Sequence, residues 1–250
     1  MLSVENLHKS YMVGSEKYKV LKGVSLDVRK GEFVGVMGPS GSGKSTLLNC
    51  ISCYIPSDSG QIRLGDLDLA VLDEEHIAHV RNEKLGFVFQ DFLLLDGLTI
   101  WDNIMLPRII SGRTDDSMEK SADMLCELFG ISHIKNKFPA DVSGGERQRA
   151  AVARALINDP ELILADEPTG NLDSKSAQVV IDAFLRAKKE LSATIFMVTH
   201  DSFAASFCDR VIILRDGDVQ KTLVREGMDR RKFQDALLDA IRELSEVNGE

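Results

Sequence analysis

The residues most able to do chemistry lie in Gly38-Pro39-Ser40-Gly41-Ser42-Gly43-Lys44-Ser45. Glycines at 38, 41 and 43 let successive backbone N–H groups turn inward toward one anion, with no Cβ in the way. An apolar strand precedes the loop, and a helix from Lys44 adds aligned peptide dipoles at its start. Lys44 places a point charge where β and γ phosphates would lie. The Ser45 hydroxyl suits Mg²⁺, a cation that keeps several waters and takes few protein ligands. Ser40 and Thr46 belong to the same phosphate-binding stretch. Together these residues point to a polyphosphate, held with Mg²⁺.

Two further groups fit the same chemistry. The apolar run Leu162–Ala165 leads straight into Asp166 and Glu167. Ligands of open α/β sheets gather at the carboxyl ends of strands, so adjacent acids there are poorly explained by packing. Asp166 is suited to the Mg²⁺ shell, and Glu167 to taking a proton from an attacking water. A third apolar run, Thr194–Val198, ends in Thr199-His200-Asp201, where His200 could orient the γ-phosphate or the water. His8, His76, His79 and His133 form no ligand cluster and read as surface residues.

The elements that must hold these groups follow from pattern. Leu2, Val4 and Leu7, then Val20, Leu21, Val24, Leu26 and Val28, alternate as strands do. The short apolar runs Phe33–Met37, Leu85–Phe89, Leu162–Ala165, Thr194–Val198 and Val211–Leu214 suit strands buried on both faces of a mostly parallel sheet. Phe92 to Leu156 carries helical periodicity and reads as a helical insertion, about 92–156, in an α/β body spanning 1–218. In the tail, 219–250, Phe233, Leu237, Leu238, Ile241 and Leu244 fall on one face of an amphipathic helix.

Composition sets limits. The chain has 250 residues, 44% hydrophobic and 28% charged, as ordinary folded proteins do. Its net charge of −9 argues against broad nucleic-acid binding. Cys50 and Cys53 form a CxxC inside an expected helix, Ser45–Tyr54. No second pair stands at zinc spacing, so with Cys126 and Cys208 they read as buried or half-buried free thiols of a reducing cytosol. No run reaches the ~20 apolar residues of a membrane span, and the N-terminus lacks a signal peptide's apolar core. Any service to a membrane then needs a spanning partner.

Val142-Ser143-Gly144-Gly145-Glu146-Arg147-Gln148-Arg149 lies between the phosphate loop and the acidic pair. It resembles the LSGGQ signature of the ABC (ATP-binding cassette) ATPases, with Val142 for Leu and Glu146 for Gln. The resemblance runs in motif order to about Leu214. It implies a P-loop core of mostly parallel sheet flanked by helices, an N-terminal antiparallel β subdomain and a helical subdomain. It also implies a head-to-tail homodimer, each ATP lying between the phosphate loop of one copy and Ser143, Gly144 and Gly145 of the other. By the same resemblance Tyr11 stacks on adenine. Gln90 is the Q-loop glutamine, touching Mg²⁺ and linking the helical part to a membrane permease. Gly170-Asn171-Leu172-Asp173 is the D-loop, with Asp173 at the dimer interface.

Leu94–Thr99, Ala205–Val211 and Gly227–Phe233 resemble, within that family, bacitracin-efflux ATPases of antimicrobial-peptide resistance. These serve one large permease, often beside a sensor kinase, on the cytoplasmic face of the plasma membrane. Lipoprotein-release, macrolide-export and cell-division ATPases belong to the same broad group. A soluble ATPase of the cluster-assembly kind shares the motifs. A chromosome-type ATPase would need a long coiled coil, for which there is no room. A purely regulatory nucleotide binder has no need of Glu167 and His200.

Overall fold

The structure, a computed structural model, describes residues 1–112 and 117–246, the last two of these by backbone alone. Residues 113–116 of the expected insertion and 247–250 of the tail lie outside the described residues. In chain order the elements are β1 (Leu2–Val13), β2 (Glu16–Val28), β3 (Phe33–Met37), α1 (Lys44–Ile51), β4 (Ser59–Leu64), β5 (Leu67–Asp68), α2 (Glu74–Glu83), β6 (Leu85–Phe89), α3 (Ile100–Ile110), α4 (Ser117–Leu128), α5 (Gly144–Leu156), β7 (Leu162–Asp166), α6 (Ser174–Leu191), β8 (Ile195–Val198), α7 (Ser202–Ala205), β9 (Arg210–Arg215), β10 (Asp218–Val224) and α8 (Arg230–Glu246). The chain divides into two compact units, Met1–Asp73 with Phe196–Glu250, and Glu74–Ile195.

The first unit holds an antiparallel sheet of order β2-β1-β4-β5 and the strands β10-β9-β3-β8. In β1, Leu2, Val4 and Leu7 are buried against Leu21, Val24 and Val28 of β2 and Ile62 and Leu64 of β4. β3 pairs in parallel with β9, Val34 opposite Arg210 and Met37 opposite Ile213, and every residue of β3 and β8 is buried. A strand covered on both faces has no reason to alternate, which is why these runs are apolar throughout. α1 stops at Ile51 rather than Tyr54. Cys53 sits beyond it in the left-handed region, φ 57°, so the CxxC is split across a helix end. None of the four cysteines is in a disulfide. Burial pushes the Cys50 and Cys126 thiols up to about 11, so neither is a ready nucleophile at neutral pH.

An ion pair ties the start of β3 to that of β9. Arg210 donates from Nε and Nη2 to the two Glu32 oxygens at 2.9 and 3.0 Å. Burial raises the proton affinity of Glu32, but the bonds and charges of Arg210 and, after it, Arg29 together outweigh it and hold the carboxyl below its usual 4.5. A depressed folded-state value stabilises the fold fully above the unfolded pKa, and that stability is lost as pH falls through the lower folded value. Arg210→Met is therefore expected to cost about 1–3 kcal/mol at neutral pH, as for a charged hydrogen bond broken at one end. Urea melts at pH 7 and below pH 4.5 check this, the deficit shrinking in acid.

The tail helix α8 covers the first unit. Phe233, Leu237 and Ala240 are buried, and Arg230 lies 5.2 and 4.8 Å over the rings of Phe203 and Phe207. The Arg215 guanidinium donates to the Leu244 carbonyl, and Lys221 pairs with Glu243 at 2.9 Å.

In the second unit β6 and β7 run parallel, Leu85 opposite Leu162 and Phe89 opposite Asp166. A Cβ on Gly86 would stand 2.3 Å from the Ala155 carbonyl, so only glycine lets α5 lie this close to β6. The described residues between β6 and β7 form helices and turns, with no strand. α3 starts in a capping box in which Thr99 and Asp102 each accept from the other's backbone N–H. Asn103, fully buried, accepts from Leu95 N–H and donates to the carbonyls of Leu95, Leu98 and Thr99, fixing the loop before the helix.

Candidate nucleotide site

In the first unit, the phosphate loop leaves β3 at Gly38. A Cβ there would lie 2.0 Å from the Leu214 carbonyl, so this glycine is demanded by the neighbouring strand. Gly41 has open space around it but φ 79°, so there the backbone conformation makes the demand. Gly43, φ 101°, caps α1. The loop is braced from behind by the turn between β9 and β10. Gly217 N–H donates to the Ser42 carbonyl at 3.2 Å, and its own carbonyl accepts from Lys22 N–H at 3.0 Å.

Lys44 is buried, 8% exposed, and its ammonium donates to the Gly38 and Pro39 carbonyls at 2.8 and 2.9 Å. The charge is thereby fixed across the mouth of the cradle before any ligand arrives. Ser40 and Ser45 are exposed and Thr46 is half-buried. The Ser42 hydroxyl is buried and has no hydrogen-bond partner among the described residues.

His200 follows β8 and is exposed. Buried Thr199 donates its N–H to the Val36 carbonyl at 3.0 Å, and Asp201 caps α7 by accepting from Phe203 N–H at 2.8 Å. His200 is thus pinned on both sides, and it lines a cavity of about 270 Å³ with Met37, Gly38 and Pro39. Tyr11, at the far end of β1, is 40% exposed and stands opposite Tyr18, with the Lys9 ammonium 5.5 Å from its ring centre. It is not a core aromatic.

In the second unit, Asp166 ends β7, and Glu167 follows with φ 44°, a left-handed conformation unusual for a non-glycine residue. The Glu167 carbonyl accepts from Gly170 N–H at 2.9 Å, closing a turn that fixes this conformation. Gln148, fully buried, donates to the carbonyls of Phe89 and Pro168 at 3.1 and 2.8 Å, clamping the ends of β6 and β7 together. Gln90 donates to Asn171 Oδ1 at 2.9 Å, and Asn171 donates to Asp91 at 2.7 Å. A Cβ on Gly170 would come within 3.0 Å of the Gln90 amide. Gln90, Asp166 and Glu167 therefore emerge from adjoining strand ends over one turn.

Asp173 is occupied as a helix cap. Its carboxylate accepts from Lys175 and Ser176 N–H and from the Ser176 hydroxyl. The Ser176 hydroxyl leads the bonds that lower its pKa. Ser143 caps α5 and forms a capping box with Glu146. Gly144 faces Leu172, where a Cβ would stand 3.2 Å away, and Gly145 faces Ser176 at 3.5 Å. The Ser-Gly-Gly segment and the 170–173 turn are thus packed on each other, which small residues permit.

Sequence reading passed over Gln148, Asn103 and the Glu146 cap. Gln148 sits among arginines and reads as part of a charged face. Only the capping spacing of serine and glutamate three apart was available as a signal for Glu146.

Residues 21–170 match the family model described as ABC transporter. The chain belongs to the ATP-binding subunits of ABC transporters, and it is an ATP-binding, ATP-hydrolysing cassette that powers a transporter. It is 46% identical to the ABC transporter ATP-binding protein YxdL of Bacillus subtilis, over 96% of this chain and 93% of that one. It is 43% identical to the bacitracin export ATP-binding protein BceA of Halalkalibacterium halodurans, over 93% and 92%. Its fold matches the cassette MJ0796 of Methanocaldococcus jannaschii, solved as a post-hydrolysis dimer bound to ADP and Pi, with TM-score 0.82 and 39% identity over 91% of this chain and all of that one. Among the described residues no helix is long and apolar enough to cross a membrane.

Proposed function

We propose that two copies of this chain, docked on a transmembrane permease at the cytoplasmic face of the plasma membrane, drive export or removal of antimicrobial peptides. The observation that carries this reading is the likeness to BceA along nearly the whole chain. The dimer reading is supported by the dimeric MJ0796 cassette.

In each copy Gly38, Ser40, Gly41, Gly43, Lys44, Ser45 and Thr46 bind the phosphates and Tyr11 stacks on adenine. Ser143, Gly144, Gly145 and Asp173 complete the site from the other copy. Hydroxyl, amide and carboxylate oxygens from Ser45, Gln90 and Asp166 are the hard donors Mg²⁺ takes. The bound ion would neutralise charge on the β and γ phosphates. Glu167 accepts a proton from the attacking water, and His200 orients the γ-phosphate. Hydrolysis removes the charge that held the halves together, and the dimer opens. The permease feels this through Gln90–Trp101, and a sensor kinase can be reached through the permease.

The test is co-expression with a multispanning permease of the kind that serves such cassettes. The chain is expected to co-purify with it, and peptide antibiotics such as bacitracin should raise ATPase activity in vesicles. Stimulation by macrolides or lipoproteins alone would move the assignment within the group, and no permease capture would favour a soluble cluster-assembly ATPase.

A further inference from the structure

The signature serine does not present a free hydroxyl. Ser143 Oγ donates to Glu146 Oε2 at 2.7 Å, and Ser143 N–H donates to the same oxygen at 2.9 Å. His133, from the short turn Ser132–Ile134, places Nε2 3.1 Å from the other oxygen, Oε1. The two Ser143 bonds foremost, and His133 after them, hold the Glu146 carboxyl below the usual carboxylate range, so it is ionised at neutral pH. A carboxylate only accepts, so the His133 nitrogen carries the hydrogen. Among the described residues, Arg149 also feels the charge of Glu146. Arg147, next in sequence, is turned onto the Phe92 ring, 5.0 Å away.

In the dimer proposed above, this helix start meets the γ-phosphate of ATP held by the partner copy. A carboxylate there acts against closure twice: it repels the phosphate, and it accepts the proton Ser143 would donate to it. We propose that Glu146 is a charge brake on ATP-driven closure of the dimer, and that His133 is the positioning residue that eases it by donating to the far carboxylate oxygen and offsetting part of its charge. The inference rests on the cross-subunit clamp, and its test separates the two.

The measurement is the ATP concentration for half-maximal dimerisation, by sedimentation velocity with Mg²⁺ in a Glu167→Gln background. Glu146→Gln keeps an oxygen that accepts from Ser143 N–H but removes the charge. It is expected to lower the required ATP by about threefold, the scale of a partly exposed charge interaction, and by more if both sites of the dimer contribute. His133→Leu, which leaves no donor, is expected to raise it by about threefold, and to have no effect once Glu146→Gln is present. Thermal melts separate capping from charge: Glu146→Ala loses the cap and melts lower, whereas Glu146→Gln does not. Ser143→Ala is run beside them. If it dimerises as its parent does, the clamp itself fails. If it dimerises poorly while Glu146→Gln requires as much ATP as the parent, or the His133→Leu effect persists in the double variant, the brake alone fails.

Discussion

Glu167→Gln is expected to bind ATP as the parent does and to hydrolyse it about 10²–10³-fold more slowly, within the range for removal of a general base. The amide has the carboxylate's shape but does not take a proton from water. The backbone supports a confined role for this residue. Glu167 is held at φ 44° by the turn to Gly170, while Gln148 clamps Phe89 and Pro168 on either side. A left-handed non-glycine residue costs of order 1–3 kcal/mol and persists where the surroundings over-determine it. The left-handed backbone turns the side chain away from the course of Asp166, as different tasks for two adjacent acids would require. With hydrolysis stopped, ATP stays bound and dimer should accumulate on addition of ATP and Mg²⁺, seen by size exclusion. Hydrolysis near the parent rate would remove Glu167 from the mechanism.

Lys44→Met is expected to weaken ATP binding by about 10- to 100-fold, the loss of one or more charge-assisted contacts to phosphate. The ammonium is buried among loop carbonyls, donating to Gly38 and Pro39 at 2.8 and 2.9 Å, so its position is set before the nucleotide enters. Methionine fills similar volume without the charge. It removes donors from two carbonyls but also removes a charge from a largely dehydrated site. These effects oppose each other, so the melting temperature without nucleotide should change little. The stabilisation that ATP gives the parent should largely vanish, since it follows occupancy. Calorimetric titration and nucleotide-dependent melts together distinguish a lost ligand contact from a damaged fold. Unchanged ATP affinity would show that the cradle does not depend on its lysine.

These two variants probe different units of the chain, Lys44 in Met1–Asp73 and Glu167 in Glu74–Ile195.

Much of this protein is written locally in its sequence. The phosphate loop is legible because its glycines answer conformational demands that no other residue meets, as at Gly43 with φ 101°. The strands are legible because burial on both faces leaves only apolar residues, as in Phe33–Met37 and Ile195–Val198. The tail helix is legible from spacing, Phe233 and Leu237 being buried as the amphipathic pattern requires. The tertiary structure decided what depends on partners distant in sequence. Spacing gave no surface for the tail helix to cover; the aromatic rings beneath Arg230 and the contacts of Arg215 and Lys221 did. Gln148 looks like one polar residue on a charged helix until Phe89 and Pro168, 59 and 20 residues away, bring their carbonyls to it. Glu146 reads as a small departure from the signature until His133 arrives beside it. Local conformation is set by each residue's own sterics and neighbours, whereas a buried hydrogen bond exists only once the chain has closed around both its ends.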